Sequence, residues 1–114
     1  MILSYLCITK SKFAENMKKS IATKLSEFFA TQPVEKAWIF GSYARGEETE
    51  SSDLDIMVTY SKDFRPGLFG ICHLIEQLEK IVGLKVDLVE RGTLYPAIAK
   101  EVELQKIPVY ERKS

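Results

Sequence analysis

Histidine and cysteine are nearly missing from this chain: His73 stands alone, and Cys7 and Cys72 lie far apart. A histidine-dependent catalytic triad has no material beyond that one residue, and the cysteines lack the spacing of a zinc site. Cys72 falls in an apolar helical pattern and reads as a core thiol, in keeping with a reducing cytoplasm. His73, on the same amphipathic stretch, reads as a surface or boundary residue. Net charge is missing too, with 16 Lys and Arg against 16 Asp and Glu. A domain that held a long polynucleotide by itself would usually be basic. The apolar run Met1–Ile8 is too short to cross a membrane and lacks the basic start of a secretory signal. Repeats, low-complexity tracts and linkers are absent as well. What remains is 114 residues, 46% of them apolar, which suits one folded domain with a single core.

The order of periodicities is helix, strand, loop, strand, helix, strand, helix, strand. Met17, Ile21, Leu25, Phe28 and Phe29 form one helical stripe that runs to about Thr31, before Pro33. Residues 1–16 precede that stripe and are expected to be dispensable, leaving 17–114 as the domain. Lys36–Phe40 and Asp55–Tyr60 read as strands. Arg65-Pro66-Gly67 breaks the chain, and Leu68, Ile71, Cys72, Ile75, Leu78 and Val82 form a second stripe closed by Gly83. Lys85–Glu90 is a third strand, Thr93 a candidate cap for a helix carrying Ile98 and Val102, and Val109-Tyr110 a short final strand. The expected fold is α/β (α+β): helices packed on a small mixed sheet.

Chemistry concentrates where the first strand ends. Phe40 is followed by Gly41-Ser42-Tyr43-Ala44-Arg45-Gly46, and Ser52-Asp53-Leu54-Asp55 opens the next strand. Gly41 allows a sharp turn and close approach to a ligand, having no Cβ. A short helix begun at Tyr43 would aim unpaired N–H groups at phosphate oxygens. In a strand, Asp53 and Asp55 would share one face while Leu54 and Ile56 fill the other. Two carboxylates so placed, roughly 6–7 Å apart at Cα, repel unless cations lie between them. Such hard oxygen ligands suit Mg²⁺.

Asp87 interrupts the apolar strand Lys85–Glu90. A buried carboxylate requires a partner: either a cation, with Arg45 or Arg91 as candidates, or a metal site shared with Asp53 and Asp55. The strand alone does not choose between them. Arg45 is similarly open, as a phosphate contact or as a brace that pairs with an acid.

An apolar residue, Gly41-Ser42, about ten residues and then Asp53-Leu54-Asp55 resemble the nucleotidyltransferase superfamily of DNA polymerase beta type. Gly41–Gly46 and Ser52–Asp55 are similar in particular to its minimal nucleotidyltransferases, and the likeness runs from about Met17 to Glu111. It implies a palm-like fold and metal-dependent transfer of a nucleoside monophosphate. Gly41 and Ser42, with Arg45, would hold the phosphates of ATP. Asp53 and Asp55 would bind two Mg²⁺ ions, with Asp87 completing the catalytic and metal site beside the attacking hydroxyl.

Small stand-alone members of the family resemble antitoxins that transfer AMP to a tyrosine of a helical HEPN toxin. The resemblance therefore implies a HEPN-type partner protein as acceptor, within a cytoplasmic complex. Two alternatives stand beside it. One is a non-catalytic module that neutralises its partner by contact. The other is transfer to a small molecule such as an aminoglycoside, completed by a dimer interface.

Overall fold

The structure, a computed structural model, describes residues 18–112. Expectations for residues 1–16, and for Met17 in the first stripe, lie outside the described residues. Helix α1 (18–29) is followed by β1 (Val34–Phe40), α2 (Ser42–Arg45), β2 (Leu54–Tyr60), α3 (Leu68–Val82), β3 (Val86–Glu90), α4 (Pro96–Gln105) and β4 (Ile107–Glu111). The four strands form one mixed sheet in the order β3-β2-β1-β4. β1 pairs antiparallel with both β2 and β4, and β2 pairs parallel with β3. A parallel pair needs a long crossover, which α3 supplies.

Each sheet face has its own apolar layer. On the first, Ile21, Leu25 and Phe29 of α1 and Leu78 of α3 pack with Ala37, Ile39, Leu54, Ile56, Val58 and Val86. Ile21, Leu25 and Phe29 recur every four residues, as the helical stripe requires. A bulge between Val34 and Lys36 shifts the strand alternation, so Val34, Ala37 and Ile39 all reach this core. The second face carries Trp38 and Met57, covered by Val102 of α4 and flanked by Phe40, Val89 and Leu94. Burying that aromatic and its neighbours holds α4 on this face of the sheet.

Several sequence expectations need correction. Cys72 is exposed rather than a core thiol. Leu68 is exposed as well; the rest of that stripe, Ile71, Ile75, Leu78 and Val82, is buried or half-buried, and Leu74 joins it. Thr93 does not cap α4: its hydroxyl donates to the Glu90 carbonyl, and the helix starts at Pro96 after Tyr95. Ile98 is 48% exposed and belongs to no core cluster. Gly83 does close α3, with φ 72° in the left-handed region, and His73 lies at the surface.

Candidate active site

β1 ends at Phe40, which faces Asp55 in the antiparallel register. The next residue, Gly41, takes φ 72° and ψ −150°, a region essentially reserved for glycine. A Cβ built there would overlap Oδ2 of Asp55 and lie 3.1 Å from its Cγ. Backbone and carboxylate are thus in contact because position 41 has no side chain. Ser42–Arg45 then forms the single helical turn the sequence allowed for. Gly46 ends it in the left-handed region at φ 73°, and Glu47 N–H donates to the Ser42 carbonyl at 2.9 Å. No side chain caps the turn's start, so its first N–H groups lack intrahelical partners, as at every helix start.

The acids arrive by two routes. Asp53 precedes β2 instead of lying in it, which corrects the expected strand alternation of Asp53 and Asp55. Thr49 N–H donates to Ser52 Oγ at 2.8 Å and Ser52 N–H to the Thr49 carbonyl at 3.1 Å. That closed turn keeps the backbone off the ladder until Leu54, whose N–H donates to the Lys85 carbonyl. Leu54 and Ile56 fill the core face as expected, and Asp55 points to the other. Asp55 and Asp87 are direct partners in the parallel β2–β3 register, with Cα atoms of such neighbours roughly 5 Å apart.

Asp87 is not buried: it is exposed on an edge strand, where water solvates it and no cation is required. Arg45 and Arg91 are engaged elsewhere. Arg45 Nε donates to Glu47 at 3.0 Å and Nη1 to Gln105 at 3.1 Å, while Arg91 pairs with Glu103. Arg45 thus pairs with an acid, Glu47, as the brace reading expects, and this pairing leaves the phosphate reading open.

The electrostatics centre on Asp55. Burial raises its carboxyl above the ordinary carboxylate range, the nearby charges of Asp87 and Asp53 raise it further, and Arg45 acts in the opposite direction. Asp87 and Asp53 are thus each close enough to repel Asp55. Among the described residues, however, no three His, Cys, Asp or Glu side chains close into a ready metal cage. Mg²⁺ takes one or two protein carboxylates and fills its other positions with water and substrate phosphates, so the register partners Asp55 and Asp87 are the carboxylates that could hold one. Mutual repulsion is what a cation would relieve.

Beside Asp55 opens a cleft of about 300 Å³, lined by Phe40, Gly41, Ser42, Arg45 and Asp55 on one side. Ile98, Glu101, Val102 and Gln105 of α4 form the other wall. Sequence reasoning missed that wall, since nothing in the helical pattern says which sheet face α4 covers. The volume suits a small-molecule ligand.

A four-stranded mixed sheet with this turn and these acids at one end defines a nucleotidyltransferase fold. Residues 23–114 match the family described as Polymerase beta, Nucleotidyltransferase, and the chain belongs to that family. It is 50% identical over 66 residues to a candidate protein adenylyltransferase of Methanocaldococcus jannaschii, covering 57% of this chain and 66% of that protein. It is 45% identical over 69 residues to the protein adenylyltransferase MntA of Thermococcus cleftensis, covering 60% and 68%. The chain thus spans about two-thirds of the length of those two relatives.

Among solved structures, a candidate minimal nucleotidyltransferase superposes with TM-score 0.67 at 30% identity, over 83% of this chain and 94% of that one. A toxin–antitoxin with AMP-PNP gives TM-score 0.68 at 20% identity, over 81% and 74%. A tri-AMPylated Shewanella oneidensis HEPN toxin in complex with MNT antitoxin gives 0.52 at 20%, over 70% and 59%. The last two likenesses concern the fold alone.

Proposed function

We propose that this chain is a Mg²⁺-dependent adenylyltransferase that moves AMP from ATP to a hydroxyl of a partner protein, as the antitoxin of a HEPN-type toxin in the cytoplasm. The observation that carries this reading is the contact between the Gly41 backbone and the Asp55 carboxylate, with Asp53 and Asp87 beside it. A phosphate-sized turn and a repelling cluster of acids have no reason to share one point in a purely structural domain. Two relatives named for protein adenylylation, and folds shared with a toxin–antitoxin holding AMP-PNP and with an AMPylated HEPN toxin complex, support the same direction.

In this reading Gly41, Ser42 and Arg45 bind and orient the triphosphate. Asp53, Asp55 and Asp87 would hold two Mg²⁺ ions. Bound Mg²⁺ supplies charge neutralisation at the phosphates and a lowered pKa for the attacking hydroxyl. Asp87, on the exposed edge, faces the side from which a large acceptor can approach.

Incubating the chain with α-phosphate-labelled ATP, Mg²⁺ and a HEPN-type protein is expected to label that protein. Asp53→Asn is expected to abolish the label. Neutralisation of the toxin that survives Asp53→Asn together with Asp55→Asn would instead favour a contact-only module.

A further inference from the structure

The contact of Arg45 with Gln105 ties the phosphate turn to α4 across 60 residues of sequence and across the cleft itself. Gln105 is the last residue of α4, whose end is tied to the sheet by its neighbours. Val102 is buried against Trp38. Glu103 bonds both Arg91 and Lys106, whose charges lie 5.3 and 4.7 Å from the Trp38 ring centroid. The amide is therefore presented from a clamped helix end rather than from a mobile loop. Arg45, by contrast, is a long side chain that is 40% exposed and would otherwise sample many rotamers.

From this geometry we infer that Gln105 is a positioning residue, holding the Arg45 guanidinium across the cleft for the phosphate tail of the nucleotide. This rests on the reading of the cleft as the nucleotide site. Two of the five guanidinium N–H donors are engaged, by Glu47 and Gln105, which leaves three for phosphate oxygens. Ordering a flexible side chain before the ligand arrives removes that cost from the binding step. A neutral amide is suited to the task because it orients the guanidinium without cancelling its charge. A second carboxylate beside Glu47 would hold the arginine more strongly and offer the phosphates less.

That difference gives a test in which structural support and positioning predict opposite signs. The full chain is titrated calorimetrically with AMP-PNP in Mg²⁺, alongside Gln105→Leu, Gln105→Glu, Arg45→Ala and the Arg45→Ala/Gln105→Leu double variant, with thermal midpoints for each. Gln105→Leu is expected to weaken binding roughly five-fold, the scale of one lost hydrogen bond. Gln105→Glu should weaken it at least as much while its midpoint stays at or above that of the wild type. The double variant should bind no more weakly than Arg45→Ala alone, since Gln105 acts only through Arg45. Positioning is overturned if Gln105→Glu binds as tightly as wild type, if the two single effects add, or if Gln105→Leu is silent while the wild type binds. A wild type that takes up no AMP-PNP overturns the nucleotide reading of the cleft, and the positioning role with it.

Discussion

Gly41 and Asp55 occupy space that only one of them could fill if position 41 carried a side chain, since an added Cβ would overlap the carboxylate. Two segments that are fourteen positions apart in sequence, by subtraction of their numbers, are thereby locked into one surface.

Gly41→Ala is therefore expected to fail twice. The φ of 72° with ψ −150° is closed to alanine, and such strain costs about 1–3 kcal/mol. The carboxylate must also move. Thermal unfolding should show the stability loss, and titration with AMP-PNP in Mg²⁺ should show binding lost well beyond it.

Asp55 makes the free protein less stable at neutral pH. Its folded-state carboxyl is raised above the ordinary value of 3.8 by burial and by Asp87 and Asp53, so the native state binds its proton more readily than the unfolded chain. Stability from this group is greatest when it is protonated and declines as pH rises from about 3.8 through the raised value. Asp55→Asn is expected to melt above wild type at pH 7 without divalent cations, the gap closing as pH falls toward the ordinary value. Mg²⁺ should raise the wild-type midpoint and leave Asp55→Asn unmoved.

Asp87 separates stability from activity. It is exposed on an edge strand and has no ion-pair partner among the described residues. Asp87→Asn should change folding stability by less than about 0.5 kcal/mol. Loss of AMP transfer on the order of 10²–10³-fold is expected, comparable to removing one preorganised charged group from a transition state. Side-by-side denaturation and transfer assays check both halves.

A chain that starts at Met17 is expected to fold. The buried core residues among those described begin at Ile21, and the family match begins at residue 23. Its thermal midpoint should lie within a few degrees of the full chain. Unfolding of the shortened chain would assign residues 1–16 to the core.

Much of this was legible from local chemistry. Gly83 stops α3 because only a residue without Cβ enters the left-handed region cheaply, and the Ile21–Leu25–Phe29 stripe marks the face of α1 that packs. Gly41-Ser42 and the Asp-x-Asp pattern carried the family resemblance, because spacing and residue type together are specific. Features that depend on tertiary arrangement were not legible. Edge placement leaves Asp87 solvated. Ile98 and Gln105 face a cleft whose existence depends on α4 crossing the second sheet face. The stripe of α3 held at Leu78 and Val82 and failed at Leu68 and Cys72, because several apolar positions could turn inward and Leu74 is the one buried in their place.

Substituting paramagnetic Mn²⁺ for Mg²⁺ reads the acids' shared role without reference to any acceptor. Electron paramagnetic resonance of Mn²⁺ with AMP-PNP should report tight binding by the wild type. Asp53→Asn, Asp55→Asn and Asp87→Asn should each release the ion while the protein stays folded. Mn²⁺ held equally well by all three variants, or by none of the four proteins, would contradict a cation site built from these three carboxylates.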